Sequence, residues 1–347
     1  MARERIVSGE SQREDREAGS TRSEPTPTGE NDAAPAVRPR TIDEYVGQKA
    51  LLERLSIALE AVKARGESLE HLLLHGPPGL GKTTLAHVVA QEMGTRAWVT
   101  SGPALTKAAD LVGTLTRIGE GDILFIDEIH RLPAAVEEYI YPAMEDFKVD
   151  FTVDSGMHAK VISLTLKPFT LIGATTRAGM LTQPLRARFG ITHHLEYYPR
   201  EDLVAILVRA AGRIGIDAVA DDGFDAIARR SRGTPRVALR LLRRVRDFAQ
   251  VRGTGVVDGA AVESALDLEG VDVLGLDEID RKYLRVLADV YEGGPAGLEA
   301  IAATMGDDAG TLEDVVEPYL LQIGFLARTP RGRKLTASGV EWIEDRK

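Results

Sequence analysis

The chain has 347 residues, 44% of them hydrophobic, a formal net charge of -10 and no cysteine. That length exceeds one ordinary core and predicts two or three domains, and the absence of cysteine excludes disulfides and thiolate metal sites. The acidic balance argues against a global positive field, so any DNA contact must come from local arginines. The opening Met1-Ala2-Arg3-Glu4-Arg5 has no apolar leader core, and no later apolar run reaches membrane-spanning length, which predicts a cytoplasmic protein with no membrane partner. The seven histidines show no zinc-like spacing, leaving Mg²⁺ with a nucleotide as the one metal expected.

Residues 1–36 mix both charge signs with Ser, Thr, Gly and Pro and read as a disordered tail. Apolar spacing from Leu51 to Val62 predicts an amphipathic helix. Next, Leu72-Leu73-Leu74 reads as a buried strand, and Lys82 to Met93, free of Gly and Pro, reads as a helix. Between them lies Gly76-Pro77-Pro78-Gly79-Leu80-Gly81-Lys82-Thr83, a phosphate-binding loop in its proper strand-loop-helix setting. The glycines let backbone N–H groups turn onto phosphates and the helix N-terminus adds positive charge. Lys82 then reaches the β/γ-phosphates of a nucleoside triphosphate and the Thr83 hydroxyl ligates Mg²⁺.

A second buried strand, Ile123-Leu124-Phe125-Ile126, delivers Asp127 and Glu128 at its end. Asp127 would hold Mg²⁺ through its water shell and Glu128 would polarise the attacking water. Downstream, Phe147, Val149, Phe151 and Val153 alternate with polar residues, Ser155-Gly156 supplies a turn, and Ile162, Leu164 and Leu166 resume the alternation, predicting a hairpin with one apolar face. That face either protrudes or packs as core. A third strand, Phe169 to Thr176, ends in hydroxyls suited to a γ-phosphate or the attacking water. Pro184-Leu185-Arg186-Ala187-Arg188-Phe189-Gly190 brings two arginines into a partly apolar segment, where a guanidinium can act as a finger on developing phosphate charge; spacing does not say which.

From 37 to 199 the alternating strand and helix signals predict an α/β domain with a mainly parallel sheet. Residues 200–270 carry helical spacing only, in Leu203, Ile206, Leu207 and the run from Val237 to Val251, and read as a small helical domain. Inside it, Gly233-Thr234-Pro235-Arg236 is a helix start that projects Arg236 from a fixed position. The remainder, 271–347, reads as helices at Asp280 to Tyr291, Leu298 to Met305 and Thr311 to Gln322, then a two-stranded ribbon around Arg328-Thr329-Pro330-Arg331-Gly332-Arg333, the pattern of a winged helix-turn-helix. Arg328, Arg331 and Arg333 are the expected DNA contacts, made mainly to phosphates.

Taken in order, GPPGLGKTT, LFIDEIHRL, GATTRAG, LTQPLRARFG, GTPR and EPYLLQIGFLARTPRGR, together with Arg38-Pro39-Arg40-Thr41-Ile42-Asp43-Glu44-Tyr45-Val46-Gly47-Gln48, resemble the RuvB family of AAA+ motors that drive Holliday-junction branch migration. The resemblance runs from about Val37 to the C-terminus. It implies an AAA+ P-loop domain, a helical lid and a winged-helix head. By the same match Val37 and Arg38 lie near the adenine, Gly79, Lys82, Thr83 and Thr84 bind phosphate, and Thr176 falls at sensor 1. Arg188 falls at the finger acting on a neighbouring subunit's ATP, Tyr198 near the nucleotide, and Arg236 at sensor 2. Glu145-Asp146-Phe147 match a nucleotide-site segment of the family. Arg328 and Arg333 are the singled-out DNA contacts. The resemblance further implies a homohexameric ring on duplex DNA at Holliday junctions, a RuvA partner docked on the hairpin near Val161 and Ile162, and a RuvC partner.

Two departures stand out. The tail before Val37 is longer and more charged than the family needs, and Asp307-Asp308-Ala309-Gly310 stands where some members carry a DNA-contacting arginine. The generic motifs also suit a clamp-loader or initiator-type switch, or a protein-remodelling ATPase. The chain has no clear aromatic pore segment for the last.

Overall fold

The structure, a computed structural model, describes residues 37–152, 161–216, 220–253 and 255–346. The tail expected over 1–36, and the hairpin turn with Val153, Ser155 and Gly156, lie outside the described residues. After α1 (Lys49–Arg65), the strands β1 (Leu72–His75), β2 (Ala97–Ser101), β3 (Ile123–Asp127), β6 (Thr170–Thr175) and β7 (Ile191–His194) form one parallel sheet in the order β2-β3-β6-β1-β7. The helices between them are α2 (Lys82–Met93), α3 (Ala108–Leu115), α4 (Ala134–Glu145) and α5 (Gln183–Ala187).

Alternation along each strand divides the core. Leu72, Leu74, Ile123, Phe125, Ile172 and Ala174 face α1 and α2, whereas Leu73, Leu124, Ile126 and Leu171 face α3 and α4. Because every strand of this sheet runs the same way, the phosphate loop after β1, Asp127 at the end of β3 and Thr175 at the end of β6 all emerge on one edge. That edge is where open α/β sheets hold ligands.

The hairpin β4 (Lys148–Thr152) and β5 (Val161–Thr165) is a separate antiparallel pair, with Val149 opposite Leu164 and Phe151 opposite Ile162. Its base is core: Val149 and Leu166 are buried. Further out, Ile162 is 41% exposed. One apolar alternation thus serves as core at the root and as open surface toward the far end.

Helices α6 (Arg200–Arg213), α7 (Asp221–Arg229), α8 (Pro235–Arg252) and α9 (Gly259–Leu268) form the helical region, and their buried Leu203, Leu207, Leu241, Leu242 and Leu266 join the core on the α1/α2 side of the sheet. The last region has its own core around Tyr283, Leu287, Ile301, Leu320 and Trp342. It comprises α10 (Glu278–Asp289), α11 (Leu298–Met305), α12 (Ala309–Thr311), a π-helical segment Leu312–Val316, α13 (Glu317–Gln322), the ribbon β8 (Leu326–Thr329) and β9 (Gly332–Leu335), and α14 (Ala337–Glu344). The expected continuous helix over Thr311 to Gln322 is corrected here: it starts earlier, at Ala309, and widens into the π segment. Asp308 explains the start, since its side chain accepts from the N–H of Thr311 as an N-cap. The acidic pair Asp307-Asp308 therefore has structural work, because Asp307 also lies 3.6 Å from Lys282.

Candidate nucleotide site and arginine ribbon

The loop after β1 is held open by left-handed glycines. At Gly81 (φ 94°) a Cβ would come 2.6 Å from the Tyr45 hydroxyl, so no other residue fits without movement. Lys82, the first residue of α2, is 7% exposed, and its Nζ donates to the carbonyls of Gly76 (2.9 Å) and Pro77 (2.8 Å). Burial pushes its pKa down to about 8, opposed by the nearby Asp127 carboxylate and reinforced by Arg236. A desolvated ammonium resting on two loop carbonyls is a fitting partner for an anion.

Burial raises the Asp127 carboxyl from its ordinary value, opposed by the Glu128 N–H it accepts from (2.9 Å) and by the positive charge of Lys82. Thr83 and Thr84 are half-buried in the first turn of α2. A hydroxyl such as that of Thr83 and a carboxylate such as that of Asp127 are hard oxygen donors of the kind Mg²⁺ takes. Glu128 has φ 46°, and its carboxylate lies 2.9 Å from the Arg131 guanidinium.

A slot beside the loop is lined by Val37, Arg38, Pro39, Tyr45, Thr84, Tyr198, Ile206 and Leu239. It is mostly apolar with cationic edges, as a base-binding cleft requires. Tyr198 donates to the Leu80 carbonyl (3.2 Å), and burial raises its hydroxyl pKa to about 12, so it stays a neutral donor. The helical region closes over the loop at Arg236, whose N–H donates to the Gly79 carbonyl (3.3 Å) and whose Cβ would be 3.0 Å from a Cβ at Gly79. The structure thus brings together Val37, Arg38, Gly79, Lys82, Thr83, Thr84, Asp127, Tyr198 and Arg236.

Thr175, not Thr176, is the buried hydroxyl at the end of β6, and it sits 2.9 Å from His130 Nδ1. Thr176 follows it, exposed. His130 and Arg177, whose N–H also bonds Thr175 Oγ1 (3.0 Å), fall within LFIDEIHRL and GATTRAG, but nothing in those stretches assigns either a role.

Arg188 lies elsewhere. It stacks on Tyr141 (4.3 Å to the ring centroid), pairs with Glu145 (3.0 Å) and donates to the Pro184 carbonyl (2.9 Å). It precedes β7 by three residues, and β7 starts beside Leu72, the first residue of β1. Arg188 is therefore at the entry edge of the sheet, opposite the phosphate loop and separated by four strand residues, roughly 13 Å. Glu145 keeps it company, with exposed Asp146, and Phe147 packs edge-on to His71 and Phe169. Within one chain the structure does not bring Arg188, Glu145, Asp146 or Phe147 to Lys82. Arg186 is exposed.

On the ribbon, the expected row of solvated cations holds only in part. Arg331 is exposed at the tip. Arg328 and Arg333 instead share the fully buried Glu317, with Nε–carboxylate distances of 2.8 Å each, and the Tyr283 hydroxyl donates to the same carboxylate (2.9 Å). Arg333 is 18% exposed and Arg328 44%. The register sets Arg328 directly opposite Arg333 across the ribbon; neither that pairing nor the carboxylate beneath it was legible in the sequence.

Three consecutive family models match the chain: the Holliday junction DNA helicase RuvB P-loop domain over residues 37–195, the RuvB AAA lid domain over 198–272, and the RuvB C-terminal winged helix domain over 273–344. A Holliday junction branch migration complex subunit RuvB from Kosmotoga olearia is 54% identical over 312 residues, 90% of this chain and 91% of that protein. The structure described as the Thermotoga maritima RuvB Holliday junction branch migration motor matches with a TM-score of 0.81 at 48% identity, covering 89% of this chain and 98% of that one. A point mutant of the same Thermotoga maritima protein gives 0.82 at the same identity and coverage. These matches run through all three regions and favour neither the clamp-loader-type switch nor the protein remodeller. The chain belongs to the RuvB family of AAA+ ATPases.

Proposed function

We propose that the chain is an ATP-driven motor that moves duplex DNA to drive branch migration at Holliday junctions, working as a homohexameric ring with a RuvA-type junction-recognition partner and a RuvC-type resolving partner in the cytoplasm. In this reading 37–199 is the large ATPase domain, 200–270 the lid and 271–347 the DNA-binding head. The observation that carries it is the separation of Arg188 from Lys82 across the sheet. A finger on the far edge cannot serve its own nucleotide, so hydrolysis needs a neighbour, as a ring supplies.

Val37, Arg38 and Tyr198 receive the base; Gly79, Lys82, Thr83 and Thr84 receive the phosphates of ATP, and Arg236 brings the lid onto them. Thr83 and Asp127 would hold Mg²⁺, which when bound neutralises phosphate charge. Glu128 must turn from Arg131 toward the attacking water and accept its proton. Thr176 orients the γ-phosphate end, Arg188 of one subunit faces the ATP of the next, and Glu145-Asp146-Phe147, lying beside Arg188, reach the same neighbouring site. Arg328, Arg331 and Arg333 grip phosphates without sequence preference. Ile162, exposed toward the outer end of the hairpin, and Val161 beside it form the RuvA-type docking edge. Among the described residues no helix is long and apolar enough to cross a membrane.

The test compares ATP turnover with duplex DNA against turnover with an unfolded polypeptide. Stimulation by duplex alone supports the motor; stimulation by the polypeptide alone overturns it.

A further inference from the structure

A continuous chain of polar contacts runs from the catalytic edge of the sheet to the ribbon. It begins at His130, two residues beyond Glu128, which holds Thr175 Oγ1 at 2.9 Å. The same oxygen accepts the Arg177 N–H at 3.0 Å. The Arg177 side chain then leaves the ATPase domain altogether: Nε donates to Asp314 Oδ1 (3.1 Å) and Nη2 to Glu313 Oε2 (3.0 Å), partners 137 and 136 residues away. Glu313 is shared, for its other oxygen lies 3.3 Å from Arg333 Nη2 and 4.0 Å from Arg328 Nη2. Beneath them Glu317 takes both ribbon arginines. Three carboxylates thus face three guanidiniums, and the set is balanced only while no outside charge intrudes. Glu313 and Asp314 both lie on the π-helical segment, a backbone form that recurs at functional sites.

We propose that Arg177 is a positioning residue that couples the DNA-holding ribbon to the γ-phosphate-sensing end of β6, so that duplex binding and ATP turnover report on each other through Glu313 and Asp314. A DNA phosphate that engages Arg328 and Arg333 repels Glu313 and draws away its ribbon partners. Arg177 is then the cation left to hold Glu313, and its main chain is fixed to the Thr175 hydroxyl. A changed pull on its side chain bears on Thr175 and Thr176 together. By linkage the reverse holds: a shift at the end of β6 on nucleotide binding alters how firmly Glu313 competes for the ribbon arginines. Arg177 touches neither nucleotide nor DNA in this account. It acts through Thr175 on one side and through the acids on the other.

The proposal rests on the reading of Arg328 and Arg333 as DNA contacts, and the experiment separates the two. With the full-length protein, ATP turnover is measured without and with duplex DNA, and duplex affinity is measured independently, for wild type, Arg177→Met, Arg177→Lys, Glu313→Gln/Asp314→Asn and Arg328→Ala/Arg333→Ala. The methionine keeps the stem and removes the cation. It should leave basal turnover within about twofold and saturating duplex binding intact, while lowering stimulation by duplex about fivefold or more, the lower end of ordinary coupling. Lysine should restore part of the stimulation, and the Glu313/Asp314 pair should reproduce the loss from the head side. A mere interdomain staple would change thermal stability and leave the stimulation ratio as in wild type in both sets, which overturns the coupling. Collapse of basal turnover in Arg177→Met and Arg177→Lys alike, with both proteins folded, would place Arg177 in the ATP site and also overturn it. If Arg328→Ala/Arg333→Ala binds duplex like wild type, the ribbon reading itself fails, a result distinct from lost coupling with normal ribbon behaviour.

Discussion

Lys82 should take up a proton when ATP binds at mildly alkaline pH. In the free protein burial lowers its pKa from 10.5 to about 8. The phosphates of ATP favour the ammonium, so bound nucleotide returns the group to full protonation. At pH 8 about half a proton should be taken up per nucleotide, and at pH 7 only about a tenth. The protonated fraction of free Lys82 falls from about nine-tenths at pH 7 to about one-tenth at pH 9, so affinity should drop roughly tenfold, ~1.4 kcal/mol. Stability of the free protein should move the other way. Between the folded value near 8 and the unfolded value of 10.5 the unfolded chain binds more protons, so stability rises with pH across that window and the burial cost is fully present below it. Calorimetry at pH 8 in two buffers of different ionisation enthalpy, with Glu128→Gln to stop turnover, measures the uptake directly. Adding Lys82→Arg should abolish it, because a guanidinium stays charged. No proton uptake at pH 8, with flat affinity from pH 7 to 9, would refute the reasoning.

Arg188→Ala rings should bind ATP yet hydrolyse it 10³-fold or so more slowly, the scale of a lost finger, and mixing them with Lys82→Ala subunits should regain activity at hybrid interfaces. Equal turnover of Arg188→Ala and wild type would move the role to Arg186. Ile162→Asp should weaken a RuvA-type partner in pull-down or calorimetry while basal turnover persists; loss of folding instead would mean the hairpin end is core. For the ribbon, removing Arg328 and Arg333 should reduce the salt slope of duplex binding by about two, one per phosphate contact. Glu317→Gln should destabilise the head by about 1–3 kcal/mol in thermal or denaturant melts, since it removes the buried charge that two partly exposed arginines share.

The parts legible in the sequence are those in which one short segment contains its own reason. The phosphate loop reads from its glycines and its strand-helix setting, Asp127 and Glu128 from four apolar residues before them, and the ribbon from its turn. The lid's Thr234-Pro235 start was also visible, but its landing on Gly79 was not, because that contact joins residues far apart in the chain. The same holds for Arg177 with Glu313 and Asp314. On a helical wheel Glu313 and Glu317 look like ordinary solvated acids, and only the fold shows that Glu317 is buried under two arginines. Thr175 and Thr176 are adjacent hydroxyls whose order of burial depends on where β6 stops. Helix α14 had a signal in Val340, Trp342 and Ile343 that the ribbon reading overshadowed. Arg188 illustrates the limit most clearly. Its apolar neighbours marked it as held, yet only the parallel register of β1 and β7 shows that it is held on the edge away from its own phosphate loop.

The most direct test of the motor is branch migration of a synthetic four-way junction by the purified protein with a RuvA-type partner, followed by separation of the product duplexes. Conversion should require ATP and Mg²⁺, fail with Glu128→Gln despite retained nucleotide binding, and slow sharply with Arg328→Ala/Arg333→Ala. Vigorous ATP hydrolysis with an unmoved junction, partner present and duplex bound, would contradict the motor reading.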